Sequence, residues 1–266
     1  MKKIRLNWHL GWSLFVLGVI VFFSSQANKP VQKGGAMIKE KYFSKTTGVD
    51  RYCNVYLPPD YVPTKKYPII YVLHGIGGTE DEWILYGSPK EIVDNLINQK
   101  LIQPVILVFP NGRAMNPDSV PQDMFNPTAQ AAFANFENDL FKDLIPFIEN
   151  KYSVYGVRDY RGICGLSMGG GQALNIGLGN PDMFAWVGAF SPAPNTDVNK
   201  FKVDSPKKQL IWILCGESDY LLSVSEKAHQ FLLDKKIPHI YKTMQGAHDW
   251  PVWKEGLRSF LQEIFR

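Results

Sequence analysis

The 266-residue chain predicts an α/β fold, a mostly parallel central sheet with helices on both faces. Two observations carry that prediction. Short apolar runs alternate with segments of helical spacing, the order in which strand–helix–strand units build a parallel sheet. The central runs are nearly continuous in apolar residues rather than alternating, as strands covered on both faces must be. The strand candidates are 51–57, 67–73, 105–109, 161–166, 186–190, 210–215 and 240–244. Between them, Ser88-Pro89-Lys90-Glu91 offers an N-cap serine, a proline at the first helical position and a capping-box glutamate. Phe136, Leu140, Leu144 and Ile148 share one helical face within 133–149, with Pro146 expected to bend that helix. Val224, Ala228, Phe231 and Leu232 mark another helix, and 252–265 closes the chain.

The first residues read as an address rather than as fold. Lys2, Lys3 and Arg5 precede an apolar run over 10–23, followed by Ser24-Ser25-Gln26-Ala27. That is the order of a secretory signal peptide, with cleavage expected after Ala27. The uninterrupted run is shorter than the ~20 residues of a spanning helix. The expected organisation is therefore a signal peptide over 1–27, a flexible lead-in over 28–40 and one α/β domain over 41–266. The product is expected to be secreted or periplasmic, with no stable membrane insertion after cleavage.

Charge excludes a further class. The chain holds 29 basic and 25 acidic residues, and three of the basic ones precede the expected cut, leaving a nearly neutral mature protein. The sequence pI of about 8.8 is thus no sign of nucleic-acid binding, and no basic cluster suggests it. Three cysteines, Cys53, Cys164 and Cys215, are an odd number, two of them in apolar runs and none at metal-ligand spacing. This argues against a disulfide framework or a zinc site.

Chemistry enters at Gly165-Leu166-Ser167-Met168-Gly169, between an apolar run and a helix-like segment. The pattern fits the G-x-S-x-G nucleophile elbow, a strand-to-helix turn so sharp that flanking side chains would collide. A serine hydroxyl needs a base, usually a histidine held by a carboxylate. On α/β-hydrolase folds the order is serine, acid, histidine. The 210–215 run ends in Gly216-Glu217-Ser218-Asp219, which delivers an acid, and Asp219 is preferred over Glu217 because it lies further from the strand. Of five histidines, only His248 has both the right order and a loop position, and its neighbour Asp249 suits an Asx-type hydrogen bond better. The oxyanion needs two backbone N–H donors. They are expected from Met168 and from Ile76, in the turn His74-Gly75-Ile76-Gly77-Gly78, where His74 serves as a brace. Long connections over 111–130 and 191–206 follow strand candidates, where α/β sheets bind ligands. Trp83, Phe125, Tyr86 and Tyr220 fall in expected loops; Trp83, Phe125 and Tyr220 are the substrate-binding candidates.

Tyr56-Leu57-Pro58-Pro59-Asp60-Tyr61, Leu73-His74-Gly75-Ile76-Gly77-Gly78, Gly165-Leu166-Ser167-Met168-Gly169-Gly170-Gly171-Gln172, Gly216-Glu217-Ser218-Asp219 and Gly246-Ala247-His248-Asp249-Trp250-Pro251-Val252-Trp253 follow one another along the chain. As a set they resemble the esterase branch of α/β-hydrolases, esterase D-like and close to the feruloyl and acetyl xylan esterases of carbohydrate esterase family one. The resemblance runs from about Tyr42 to the C-terminus. It implies Ser167 as nucleophile, His248 as base, Asp219 as orienting acid, and hydrolysis through an acyl-enzyme without metal or organic cofactor. The expected substrate is an ester-substituted polysaccharide or oligosaccharide, most simply feruloylated or acetylated plant xylan. A thioesterase like S-formylglutathione hydrolase, or an acyltransferase, would use the same residues. A non-catalytic carbohydrate-binding protein on this scaffold would lack one of the three, and none is lacking.

Overall fold

The computed structural model describes residues 34–202, 205 and 207–265, so the expected signal peptide and most of the lead-in lie outside the described residues. Among the described residues eight strands form one sheet: β1 (Ala36–Ser44), β2 (Val49–Leu57), β3 (Ile69–Leu73), β4 (Ile106–Pro110), β5 (Arg161–Leu166), β6 (Trp186–Phe190), β7 (Leu210–Gly216) and β8 (Ile240–Met244). Their order is β1-β2-β4-β3-β5-β6-β7-β8. The β1–β2 and β2–β4 pairs are antiparallel, and every later pair is parallel.

The continuous apolar runs have the predicted cause. Ile69, Tyr71, Leu73, Ile163 and Ile213 enter one core layer, with Phe136, Leu140, Leu174 and Leu232 from the helices on that side. Their neighbours Ile70, Val72, Cys164, Trp212 and Leu214 enter the other layer, with Val93, Leu96, Leu257 and Phe260. The helices are α1 (Pro89–Asn98), α2 (Pro127–Asp139), α3 (Ile145–Lys151), α4 (Met168–Gly179), α5 (Leu222–Asp234) and α6 (Trp250–Ile264). Among the described residues no helix is long and apolar enough to cross a membrane.

Three local expectations change. The lead-in is ordered structure from residue 36 onward, because Ala36–Ser44 pairs along its whole length with β2. Gly35 is pinned too: its N–H donates to Asp94 at 2.8 Å, and a Cβ there would meet the Leu57 carbonyl at 2.4 Å. Ser88 precedes α1 but holds φ 48° and makes no side-chain cap bond, so the capping box does not form. The helix expected to bend at Pro146 is broken into α2, a π-helical turn over Leu140–Leu144, and α3. Proline has no N–H to return to the Lys142 carbonyl, and the wider turn absorbs the lost bond.

Candidate active site

The carboxyl ends of β3, β5, β6, β7 and β8 bring the candidate residues together. Ser167 joins β5 to α4 with φ 51° and ψ −119°, a sparsely populated backbone conformation. The flanking glycines explain how the chain tolerates it. A Cβ on Gly165 would lie 2.6 Å from the Gly169 carbonyl, and one on Gly169 would lie 2.4 Å from the His74 carbonyl oxygen. No larger side chain fits where helix, strand and neighbouring turn pass so closely. Backbone bonds from Ser167 N–H to the Phe190 carbonyl (2.9 Å) and from Ala193 N–H to the Ser167 carbonyl (3.0 Å) hold the elbow to the end of β6.

His248 and Asp219 reach the serine from the last two strands. His248 Nδ1 lies 2.9 Å from Asp219 Oδ2 and 3.1 Å from Oδ1, so its N–H donates to the carboxylate. That leaves Nε2, 2.9 Å from Ser167 Oγ, as the acceptor for the hydroxyl proton. Burial opposes ionisation of Asp219. Hydrogen bonds from the Ser191 hydroxyl, the Leu221 N–H and His248 outweigh it and hold the carboxyl below its ordinary value. Asp249 caps α6 instead, accepting from Val252 N–H at 3.4 Å. His248 is also flanked by aromatic rings, Tyr220 at 4.8 Å and Trp253 at 5.0 Å between centroids.

The turn after β3 runs beside the serine: a Cβ on Gly75 would stand 3.7 Å from Ser167 Cβ, an ordinary contact. Met168 is the first residue of α4, where helical N–H groups have no partner within the helix. Ile76 N–H makes no hydrogen bond among the described residues. His74 braces this turn, donating through Nδ1 to the Gly75 carbonyl at 2.6 Å and accepting from Gly112 N–H at Nε2 at 2.7 Å. Burial, and then the nearby Arg113, lower its pKa to about 4, so the ring is neutral.

Of the substrate-binding candidates, Tyr220 is 77% exposed against His248 and Phe125 is 76% exposed on the connection before α2. Trp83 corrects the reading. It sits in a π-helical turn over Trp83–Gly87, 1% exposed, its indole N–H donating to the Leu73 carbonyl at 3.1 Å. The indole packs edge-on to Phe190 and Trp250, so it is core and offers no face to a substrate.

Several residues at the site carry no obvious sequence signal. Ser191, fully buried with φ 49°, follows β6 and donates its hydroxyl to Asp219. Arg51 is buried too, and donates to the carbonyls of Asn111 (2.7 Å) and Arg113 (2.6 Å) while pairing with Asp139. It thereby fixes the start of the 111–126 connection. Cys53, Cys164 and Cys215 are buried free thiols. Among the described residues, no group of three or more His, Cys, Asp or Glu is placed to hold a metal ion.

The family model described as "Putative esterase" matches residues 44–264. A CE1 ferulic acid esterase from Anaeromyces mucronatus, solved in complex with ferulic acid, superposes with a TM-score of 0.81 at 30% identity, covering 89% of this chain and 93% of that one. An endo-1,4-beta-xylanase/feruloyl esterase of Xylanibacter ruminicola is 27% identical over 231 residues, 85% of this chain but 31% of that protein. The chain therefore spans about a third of the length of that relative. An S-formylglutathione hydrolase of Arabidopsis thaliana is 26% identical over 167 residues, 58% of this chain and 56% of that protein. The family match runs from the last residue of β1 to the end of α6 and takes in every element that carries the site, so the chain belongs to this esterase family.

Proposed function

We propose that this esterase is a secreted serine carboxylic ester hydrolase that releases feruloyl or acetyl groups from plant cell-wall xylan through an acyl-enzyme on Ser167. The observation that supports it most is the unbroken chain from Ser167 Oγ through both nitrogens of His248 to Asp219. In this reading His248 Nε2 takes the hydroxyl proton as Oγ attacks the ester carbonyl, and Asp219 steadies the imidazolium that forms. The Met168 and Ile76 N–H groups receive the oxyanion. Collapse expels the alcohol, protonated by His248, and water then releases the acid by the same steps in reverse order.

The acyl group and sugar come from likeness to the ferulic acid esterase of Anaeromyces mucronatus and the xylanase/feruloyl esterase of Xylanibacter ruminicola. Export comes from the pattern of the first 27 residues, which lie outside the described residues. A second reading, thioester hydrolysis, draws on the likeness to the S-formylglutathione hydrolase of Arabidopsis thaliana. Assaying the purified protein on methyl hydroxycinnamates, acetylated xylan and S-formylglutathione decides between them. Turnover of methyl ferulate at least tenfold above the thioester is expected, and the opposite ratio overturns the xylan reading.

A further inference from the structure

The turn after β3 is tied at more points than a surface turn needs, and the ties come from two charged side chains outside the proposed serine–histidine–aspartate chain. Glu82 Oε2 accepts the Gly75 N–H at 2.7 Å. Arg113, 0% exposed, donates through Nη1 to the Gly78 carbonyl at 2.6 Å and to the Ile76 carbonyl at 3.3 Å. Within the turn, Gly78 N–H donates to the Gly75 carbonyl at 3.2 Å, and His74 takes up that same carbonyl. The Ile76 and Gly77 N–H groups are left uncommitted among the described residues, Ile76 being next to the glycine that lies against Ser167. A burial cost accompanies the arrangement: Arg113 Nε and Nη2 are buried without a partner. A guanidinium is costly to bury for a turn that only connects two elements.

The glycine at 78 makes room for the carboxylate. A Cβ on Gly78 would lie 2.5 Å from the Glu82 carboxyl carbon, so Glu82 occupies the room a side chain at 78 would need. At Gly75 the close neighbour is Leu166 Cδ1, 2.9 Å from a would-be Cβ, and Glu82 Oε2 at 3.6 Å is an ordinary contact. Glu82 reaches this place from the residue before the π-helical turn whose Trp83 is anchored to the Leu73 carbonyl, so its backbone has little freedom to move.

We propose that Glu82 and Arg113 are positioning residues for the oxyanion loop, Glu82 drawing off the Gly75 N–H and Arg113 holding the Ile76 and Gly78 carbonyls so that Ile76 N–H stays free beside Ser167. The proposal rests on the reading of Ser167 as nucleophile and Ile76 N–H as oxyanion donor. Neither residue touches the substrate; both act through the backbone they hold. The aim of an oxyanion donor matters chiefly in the transition state, where losing one such donor costs about 10²–10³ in kcat.

The test compares Glu82→Gln, which keeps an acceptor oxygen, with Glu82→Asp, which is one methylene too short, and Arg113→Lys with Arg113→Met. Steady-state kinetics on methyl ferulate are read beside the affinity for a boronic acid that forms a tetrahedral adduct on the serine, and for free ferulate as a ground-state ligand. Glu82→Gln is expected within about threefold of the parent. Glu82→Asp and Arg113→Met are expected to lose about 10²-fold in kcat and a matching factor in boronic acid affinity, with KM and ferulate affinity within about threefold. Arg113→Lys is expected to fall between. Melting temperatures accompany each variant, and Gly78→Ala, which crowds the Glu82 carboxyl from the other side, should copy the Glu82→Asp pattern. Full kcat in Glu82→Asp, or equal losses of boronic acid and ferulate binding, overturns the proposal. So does a Glu82→Gln enzyme as impaired as Glu82→Asp. Ser167→Ala run alongside separates this from the underlying reading: if it retains turnover, the nucleophile assignment fails, whatever the loop variants do.

Discussion

Two histidines stand at strand ends in this site, and the same side chain is given opposite properties. His74, after β3, has both ring nitrogens committed to backbone groups of neighbouring turns, and no carboxylate faces it in hydrogen-bond range among the described residues. Burial and the Arg113 charge hold it neutral. His248, after β8, has a carboxylate behind Nδ1 and a hydroxyl in front of Nε2. What separates a brace from a candidate base is therefore the partner set, since ring and strand-end location are shared. His248 alone has a carboxylate placed to steady charge that develops on the ring during a reaction.

The strongest way to break that contrast is to remove what His248 is proposed to serve. Ser167→Ala is expected to lower kcat on methyl ferulate by about 10⁵–10⁶ while leaving the unfolding midpoint nearly unchanged. Retained turnover would reduce the contact between Oγ and Nε2 to a packing accident. Next in size is Asp219→Asn, which keeps the shape and removes the charge. An amide can present its N–H to Nδ1 and so reverse the ring tautomer, and a loss of about 10⁴ in kcat is expected from single-turnover measurements. A loss under tenfold would show that His248 does not need the carboxylate.

His74 gives the third test, read in stability. Its folded pKa of about 4 lies below the ordinary 6.5, so between those values the unfolded chain takes a proton that the folded one refuses. Stability tied to His74 is thus fully present above pH 6.5 and is lost as pH falls through 4, by about 3 kcal/mol in all. Other groups titrate in the same window, so the measurement is a difference: urea unfolding of the parent and of His74→Gln at pH 7 and pH 4.5. The parent should lose about 2–3 kcal/mol more than the variant. Equal losses would mean that His74 takes up its proton in the folded protein as readily as in the unfolded chain.

How much of this could be read before the structure follows from where the physics leaves a mark in sequence. Buried parallel strands must be apolar on both faces, so β3 to β7 announced themselves as continuous runs. The elbow did so because the close approaches at Gly165 and Gly169 exclude every larger residue. β1 leaves no such mark, because an antiparallel edge strand carries Lys39, Glu40 and Lys41 on partly solvated backbone, and such charges look the same in a loose leader. The burial of Trp83 is equally unmarked, because a tryptophan between acidic residues and Ile84-Leu85 gives no helical period in so short a turn. Glu82, Arg113 and Arg51 were invisible for a different reason. Their partners include carbonyl and N–H groups, which every residue possesses, so no residue pattern records the match.

The smallest effect sharpens the contrast between the two aromatic candidates that the structure treats differently. Tyr220 is exposed and leans over His248 at an interplanar angle of 53°, while Trp83 is core. Tyr220→Ala should leave stability within about 0.5 kcal/mol, as exposed substitutions do, whereas Trp83→Ala should cost about 3–5 kcal/mol. An aromatic pair adds about 0.5–1.5 kcal/mol beyond area burial, which is up to roughly tenfold in kcat/KM. If Tyr220 meets a phenolic acyl group, Tyr220→Ala should lose that factor on methyl ferulate and almost nothing on p-nitrophenyl acetate, whose acyl group has no ring. The ratio of the two substrates is the informative quantity, because a ring that merely steadies the imidazole of His248 must act on both esters alike. Equal losses would therefore assign Tyr220 to holding the base, and leave the recognition of an aromatic acid to other residues of the site.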